Sequence, residues 1–214
     1  MRFKTVLFDL DGTLTDPFEG ITRSVQYSLR RFGIEVEDRH ALACFIGPPL
    51  NESYINYYGF SLEDSYRAVD IYREYFADRG LFENEVYPGI PEMLGELKRQ
   101  GKTLAVATSK PTVYAKRILG KFDLAKYFDL CDGSELDGTR VHKDEVIAHA
   151  LEALGCDPAS AVMVGDRSHD VIGAIKNSLP CIGVTYGYGT EEELAEAGAF
   201  RTVDTVDELK ESLS

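Results

Sequence analysis

The sequence predicts a doubly wound, Rossmann-like α/β fold: a parallel sheet with an inserted α-helical cap domain. Short apolar runs, typical of buried parallel strands, alternate along the chain with segments in which apolar residues recur at helical spacing. One long interval near the N-terminus breaks this alternation, since it holds several helical patterns and no convincing strand. The alternation favours a sheet covered by helices on both faces, and the interruption favours an insertion.

Five apolar runs are the predicted strands, and five segments with helical spacing are the predicted core helices. The strands are expected at 5–10, 103–107, 128–131, 161–164 and 181–185. The helices are expected at 90–99, 113–119, 143–154, 170–176 and 191–197. Because ligands of open α/β sheets bind outside the carboxyl ends of the strands, the functional residues are expected at those ends.

The interrupting interval is interpreted as a helical cap at 16–86, and the remaining chain, 1–15 and 87–214, as an α/β catalytic core. Helical patterns inside the cap lie near 21–32, 40–45, 50–57 and 62–76. Pro88 and Gly89 favour a turn at the end of the cap, and Pro91 suits the first turn of the next helix. A chain of 214 residues is long enough for one such core with a smaller insertion.

The composition disfavours several classes of function. Asp and Glu number 36 against 23 Lys and Arg, which argues against nucleic-acid binding because that binding depends on basic residues. No apolar run approaches the length of a membrane span, and the N-terminus turns acidic too early for a signal peptide. We therefore expect a cytoplasmic protein without nucleic-acid or membrane partners, and the sequence predicts no particular oligomeric state.

Two carboxylates follow the first predicted strand, in the stretch "FDLDGTLTD". Side chains alternate along a strand, so Asp9 and Asp11 share one face while Leu10 packs on the other. Two carboxylates at that spacing repel each other unless a cation compensates them, and hard oxygen ligands favour Mg²⁺. The alternative is that both aspartates only begin a turn at Gly12.

Hydroxyl and lysine side chains follow later elements. Thr108 and Ser109 come after the apolar run 103–107, where hydroxyls and free backbone N–H groups suit phosphate oxygens, although Ser and Thr are also ordinary helix caps. Lys143 begins a predicted helix, where the helix dipole disfavours a cation. It is therefore either a surface lysine or a lysine that pairs with Asp9 and a phosphate.

Two more aspartates follow the strand predicted at 161–164, in the stretch "VGDRSHD". Asp166 leaves the strand end and can complete a metal site with Asp9. Asp170 can orient a metal-bound water or Lys143, and it can also be the N-cap residue of a helix at 171–176.

Together these sites resemble the four motifs of the haloacid dehalogenase-like hydrolase superfamily. The stretch "DLDGT", Thr108, Lys143 and the stretch "GDRSHD" stand in the same order and at the same strand ends, and the resemblance covers the whole chain. The cap and the stretch "GVTYGYGTEEELAEAGA" are similar to the phosphoglycolate phosphatase branch. The stretch "DGSELDGTRVHK" is more similar to members that act as nucleoside 5'-monophosphatases.

The resemblance implies a role for each motif residue. Asp9 is the nucleophile and Asp11 the general acid and base. Mg²⁺ is the implied cofactor. The implied phosphate ligands are Thr108, Ser109 and Lys143. The implied metal ligands are Asp9, Asp11 through its backbone carbonyl, Asp166 and, in support, Asp170.

The resemblance thus implies a Mg²⁺-dependent phosphatase that hydrolyses a small phosphorylated metabolite through an aspartyl-phosphate intermediate. Its expected substrate is a nucleoside 5'-monophosphate or phosphoglycolate. Two alternatives stay open: a sugar-phosphate mutase, which shares the core motifs, and a phospho-accepting signalling domain. Phosphonate hydrolysis through a cap lysine is disfavoured, because no lysine occurs between Lys4 and Lys98.

Overall fold

The computed structural model describes residues 3–214, which form two compact units. A helical unit comprises Pro17–Glu85, and an α/β unit comprises the chain before and after it, up to Asp16 and from Val86 onward. The sequence prediction placed the cap at 16–86.

The helical unit is an all-α arrangement around an aromatic interior. Phe45 is buried and its ring lies 5.0 Å from that of Tyr54, while the Ser28 hydroxyl donates to the carbonyl of Ala68 at 2.7 Å. The segment predicted as a helix at 40–45 is a 3₁₀ helix, Arg39–Phe45, whose N-cap Asp38 accepts from the backbone of His40. The three α-helices of the helical unit are α1 (Phe18–Arg31), α2 (Leu50–Tyr58) and α3 (Leu62–Phe76).

The α/β unit is built on a six-stranded sheet in the order β5-β4-β1-β6-β7-β8, in which every neighbouring pair is parallel. This topology confirms the predicted doubly wound α/β fold. The strands are β1 (Thr5–Phe8), β4 (Thr103–Pro111), β5 (Leu130–Ser134), β6 (Ala161–Gly165), β7 (Cys181–Val184) and β8 (Arg201–Val203). Two short strands, β2 (Thr15–Asp16) and β3 (Glu85–Val86), lie outside this sheet.

The centre of the sheet is β1, which pairs with β4 on one side and β6 on the other. Leu7 lies opposite Ala105 and Met163 in this register, and all three side chains are fully buried. Apolar residues on helices close the same core, including Val146 and Val171. The helices of this unit are α4 (Ile90–Arg99), α5 (Thr112–Lys121), α6 (Lys143–Leu154), α7 (Ser168–Lys176), α8 (Glu191–Ala197) and α9 (Val206–Leu213).

Two elements near the C-terminus were not predicted. Strand β8 lies at the sheet edge, and its Arg201 is exposed and Thr202 half-buried, so it has no apolar run that would predict a strand. Helix α9 carried a sequence signal, because Thr205 is a residue type preferred at the N-cap position. In the structure Thr205 accepts a hydrogen bond from the backbone N–H of Glu208. Among residues 3–214, none of the helices combines the length and the apolar composition that a membrane span needs.

Candidate active site

The predicted motif residues of the α/β unit meet at the carboxyl ends of its three central strands. Asp9 follows β1, Thr108 lies in β4 and Asp166 follows β6. Because these strands are parallel neighbours, their carboxyl ends lie at one edge of the sheet, where open α/β folds bind ligands. The site therefore forms from segments far apart in sequence.

The Asp9 carboxylate is buried and fixed by its own backbone. The backbone N–H of Asp9 donates to the carbonyl of Val164 at 2.9 Å, which continues the pairing of β1 with β6. The backbone N–H of Leu10 donates to Asp9 Oδ1 at 2.7 Å. This hydrogen bond fixes the position of the carboxylate, as a nucleophile requires.

Three buried carboxylates form one cluster. Asp9, Asp166 and Asp170 each offer an oxygen, and these oxygens lie within 4.8 Å of one another. Burial raises the pKa of Asp166 well above its usual range, and the charges of Asp170 and Asp9 raise it further. Crowded oxygen ligands that repel one another in this way fit a hard divalent cation such as Mg²⁺.

Lys143 lies against two members of the carboxylate cluster. Its Nζ lies 2.8 Å from Asp9 Oδ1 and 2.8 Å from Asp170 Oδ1, and it donates to the carbonyl of Ala107 at 3.2 Å. Burial alone would lower its pKa, but the charges of Asp170 and Asp9 outweigh burial and raise it. The lysine is therefore charged, although it begins α6, where the helix dipole disfavours a cation.

The predicted start of the helix at 170–176 is wrong, and Asp170 is not the N-cap residue of a helix at 171–176. Helix α7 begins two residues earlier, at Ser168, so Asp170 lies in the first turn. Its Oδ2 accepts the backbone N–H of Arg167 at 3.1 Å, while Oδ1 faces Lys143. The carboxylate thus serves the helix start and the charged cluster at the same time.

Asp11 has a different partner from the other site carboxylates. Its Oδ2 lies 2.7 Å from Nζ of Lys110, and both side chains are buried. Burial raises the pKa of Asp11, and the positive charge of Lys110 opposes that rise only in part. No role was predicted for Lys110, although it follows Thr108 and Ser109 directly.

The two predicted hydroxyls lie within β4, in its carboxyl-terminal half. Thr108 is buried, and its Oγ1 accepts the backbone N–H of Lys110 at 3.3 Å. Ser109 is half-buried, and its backbone carbonyl accepts from the Ser134 hydroxyl at 2.7 Å. Both residues lie at the predicted edge of the sheet, next to the lysine that contacts Asp11.

A glycine-rich loop after β7 packs onto the first motif. The backbone N–H of Tyr188 donates to Asp166 Oδ2 at 2.8 Å, and the Tyr186 hydroxyl donates to the carbonyl of Thr13 at 3.0 Å. Gly12 has φ +82°, and a Cβ at that position would lie 2.1 Å from Asp166 Oδ2. Only glycine therefore allows the first motif to approach the Asp166 carboxylate so closely.

Comparison with known proteins identifies the family. The model for haloacid dehalogenase-like hydrolases matches residues 6–184. The chain belongs to this family. The predicted resemblance is thereby confirmed, and the match spans all four motifs described above.

Several relatives are similar over nearly the whole chain. A Pseudomonas aeruginosa protein named 5'-nucleotidase is 52% identical over 194 residues, 91% of this chain and 88% of that protein. A Mycobacterium tuberculosis protein named tyrosine-protein kinase PtkA is 38% identical over 210 residues, 97% of this chain and 72% of the relative. A Pseudomonas aeruginosa phosphoglycolate phosphatase 1 is more distant, at 28% identity over 96% of this chain and 78% of its own length.

The fold is shared with a solved structure of similar sequence. A predicted phosphatase from Clostridium acetobutylicum superimposes with a TM-score of 0.98 at 54% identity, covering 100% of this chain and 99% of that one. The family, the relatives and this structure identify the haloacid dehalogenase-like chain described here as a phosphatase, a phosphoric monoester hydrolase.

Proposed function

We propose that this phosphatase hydrolyses nucleoside 5'-monophosphates with Mg²⁺, through a phosphoryl group held covalently on Asp9. The observation that carries the proposal is the position of the Asp9 carboxylate, in contact with Lys143 and within 4.8 Å of two further carboxylates. A buried nucleophile surrounded by one fixed cation and a set of metal-type ligands suits attack on a phosphate dianion.

The donor set supports Mg²⁺ as the cofactor. The cluster offers only carboxylate oxygens, which hard cations prefer, and burial together with the charges of Asp170 and Asp9 raises the pKa of Asp166. The residues that would hold the ion are Asp9, Asp166 and the Asp11 backbone carbonyl, with Asp170 in support. When bound, Mg²⁺ supplies positive charge that neutralises the oxygens of the transferring phosphoryl group.

The first step transfers the phosphoryl group to the protein. A carboxylate oxygen of Asp9 attacks phosphorus, the bond from phosphorus to the ester oxygen breaks, and Asp11 gives its proton to that leaving oxygen. The raised pKa of Asp11 favours the protonated form that this step needs. Lys143, Thr108 and Ser109 bind and orient the phosphate oxygens.

The second step returns the protein to its starting state. A water molecule attacks the aspartyl-phosphate, Asp11 takes a proton from that water, and the bond between Asp9 and phosphorus breaks to release inorganic phosphate. Dividing one difficult hydrolysis into two displacements lets the same carboxyl group serve first as acid and then as base.

A nucleoside 5'-monophosphate is the preferred substrate in this proposal. The support is the relative named 5'-nucleotidase, at 52% identity, against 28% for the protein named phosphoglycolate phosphatase 1. Phosphoglycolate is the second candidate. Cytoplasmic location and the lack of nucleic-acid and membrane partners remain predictions of the composition.

The test is a phosphate-release screen with and without Mg²⁺. The panel contains nucleoside 5'-monophosphates, the corresponding 3'-monophosphates, phosphoglycolate and small sugar phosphates. We expect Mg²⁺-dependent release that is fastest from the 5'-monophosphates. Fastest release from phosphoglycolate would overturn the substrate proposal alone, and no release above background from any ester would overturn the proposed function.

Two variants test the roles of the aspartates. Asp9→Asn removes the nucleophile and is expected to abolish turnover, whereas Asp11→Asn is expected to slow it by about 10² to 10⁴. Equal residual activities would contradict the assignment of roles.

The same assays distinguish the alternatives. A mutase would convert sugar phosphates into isomers instead of releasing phosphate, and a signalling domain would hold one stable phosphoryl group per chain. Because one relative is named a tyrosine-protein kinase, a tyrosine-containing peptide with ATP is added to the panel. Transfer to tyrosine faster than release to water would favour phosphoryl transfer over hydrolysis.

A further inference from the structure

We propose that Lys110 is a positioning residue for the proton transfers: it holds one oxygen of the Asp11 carboxyl group and leaves the other to face the reacting groups. The proposal rests on the phosphatase reaction proposed above. It assigns a role to a buried lysine outside the four motifs.

The two oxygens of Asp11 have different surroundings. Oδ2 lies 2.7 Å from Nζ of Lys110, and the two side chains are only 11% and 5% exposed. Oδ1 is buried and has no hydrogen-bond partner among residues 3–214. A buried carboxyl oxygen without a partner is costly in a finished structure, and such atoms occur where a catalytic group must meet its substrate.

The backbone at Lys110 is shaped by an irregularity between β4 and β5. Thr108 pairs with Gly133, but the next pair is Pro111 with Ser134, so Ser109 and Lys110 are extra residues on β4. Bulges of this kind re-aim side chains beside active sites. The close packing depends on Gly133, because a Cβ there would lie 2.3 Å from the carbonyl oxygen of Lys110.

Two lysines divide the two catalytic aspartates between them. Lys143 contacts Asp9 and Asp170, whereas Lys110 contacts Asp11. A lysine near the phosphate site could instead bind the phosphate of the substrate. The ion pair with Asp11, however, directs the ammonium group of Lys110 to a carboxyl oxygen. Its contact with Oδ2 concentrates negative charge on that oxygen, so the proton of the acid form resides on Oδ1.

The proposed geometry then specifies which atom moves each proton. In the first step the proton on Asp11 Oδ1 goes to the ester oxygen as its bond to phosphorus breaks and the bond from Asp9 to phosphorus forms. In the second step a proton of the attacking water returns to Oδ1 as inorganic phosphate leaves. Lys110 keeps its own protons throughout and fixes the rotation of the carboxyl group.

The experiment compares leaving groups in the variant Lys110→Met. The parameter kcat/KM covers the steps up to departure of the leaving group, and a poor alkoxide leaving group needs a proton more than p-nitrophenolate does. We expect kcat/KM to fall by about 10²-fold for nucleoside 5'-monophosphates and simple alkyl phosphates, and by less than about 10-fold for p-nitrophenyl phosphate. An equal fall for both classes would mean that Lys110 binds phosphate, and would overturn the proposal.

A double variant tests whether Lys110 acts through Asp11. In Asp11→Asn the acid is already lost, so adding Lys110→Met is expected to change kcat/KM for alkyl phosphates by less than about 3-fold. A further loss of about 10²-fold would overturn the proposal, because it would show an effect independent of Asp11. This measurement also covers the case in which Lys110→Met alone folds poorly, because the double variant leaves no unpaired charge.

Lys98→Met is the matched control. Lys98 makes an ion pair of the same length with Asp129, 2.7 Å, at the surface of the same unit, and it is expected to leave the leaving-group dependence of the wild type unchanged. If Lys110→Met behaves like this control while Asp11→Asn is slow, the phosphatase mechanism stands and the role of Lys110 fails. If the wild type releases no phosphate from any ester, the proposed function itself fails.

Discussion

The interior of the helical unit and the strand-end edge of the α/β unit bury different kinds of side chain. In the helical unit the buried polar residues are hydroxyls and one amide: Thr22, Ser24, Ser28, Ser53, Ser65 and Asn84. In the described part of the α/β unit, six buried charged residues occupy the candidate site: Asp9, Asp11, Lys110, Lys143, Asp166 and Asp170. Four carboxylates therefore face two ammonium groups.

The difference indicates that the buried polar groups of the helical unit contribute to stability, whereas the buried charges of the α/β unit form a site for chemistry. Buried hydroxyls in a helix can donate hydrogen bonds to backbone carbonyls of the same helix, so their burial costs little free energy. The Ser24 hydroxyl, for example, donates to the carbonyl of Gly20. Buried charges are costly unless they are paired, and the site has more carboxylates than it can pair. The divalent cation proposed above would compensate this excess negative charge.

Removing the ammonium group of Lys143 should have the largest effect. Lys143→Met leaves Asp9 and Asp170 without their shared partner. In the absence of Mg²⁺ we therefore expect the free energy of unfolding to fall by about 3 kcal/mol or more. The same change should lower kcat by about 10² to 10³ because a fixed charge on the transferring group is lost. Urea unfolding and phosphate release measure the two effects.

The matched control for that variant is Lys176→Met. Lys176 pairs with Asp144 at 3.0 Å, but its side chain is 59% exposed, so both effects should be within about 0.5 kcal/mol and twofold of the wild type. Equal destabilisation by the two lysine variants would contradict the distinction between site and surface.

An apolar truncation in the helical unit should come next. The ring of Phe45 is buried against Tyr54, Tyr57 and Tyr58, at centroid distances of 5.0, 5.8 and 5.9 Å. Phe45→Ala removes these contacts and should destabilise the protein by about 3 kcal/mol, as measured by urea unfolding. A loss below about 1 kcal/mol would show that the aromatic interior contributes little.

Metal addition should compensate the excess charge in a pH-dependent way. The pKa values of Asp166 and Asp170 are raised, chiefly by burial, so the folded protein retains protons that the unfolded chain loses above about pH 4. Without Mg²⁺ these groups therefore lower stability as the pH rises from that point toward neutrality. Because ligands must be ionised to bind metal, Mg²⁺ should raise the melting temperature more at about pH 7.5 than at about pH 5.

The variant Asp166→Asn provides the control for metal addition. It removes one ligand of the cluster and should abolish most of the Mg²⁺-dependent rise in melting temperature, measured at constant ionic strength. A rise of the same size in this variant would show that Mg²⁺ acts elsewhere on the protein.

The smallest effect is expected at an exposed ion pair of the helical unit. Arg30 and Glu35 lie 3.1 Å apart with side chains 54% and 72% exposed. Arg30→Ala should change the free energy of unfolding by less than about 0.5 kcal/mol, because solvent screens such pairs. A loss above about 2 kcal/mol by urea unfolding would contradict this expectation.

The sequence was sufficient for features that lie directly after apolar runs. Asp9 and Asp166 follow buried strands and Thr108 follows the apolar run 103–107, so the strand pattern alone predicts that they meet at one edge of the sheet. The strand topology confirms the predicted parallel sheet, and the family model confirms the predicted family. For Lys143 the helix dipole left two interpretations open, a surface lysine or a partner of Asp9, and the structure shows it buried against Asp9 and Asp170.

Features that depend on contacts between distant segments could not be predicted. The pairing of Lys110 with Asp11 depends on extra residues in β4, and a bulge leaves no clear pattern in the sequence. The hydrogen bond from the Tyr188 backbone to Asp166 arises because a glycine-rich loop packs on the first motif. Strand β8 is short and partly exposed, so no apolar run identifies it.

The most direct test of the central claim is whether the phosphoryl group passes through Asp9. Asp11→Asn reacted with p-nitrophenyl phosphate should accumulate the intermediate, because departure of p-nitrophenolate needs little acid while hydrolysis of the aspartyl-phosphate still needs a base. We predict a rapid burst of p-nitrophenolate close to one equivalent per site, with the phosphoryl group on the peptide that contains Asp9 after acid quenching. Release of phosphate by the wild type with no burst and no protein-bound phosphoryl group in the variant would contradict the account.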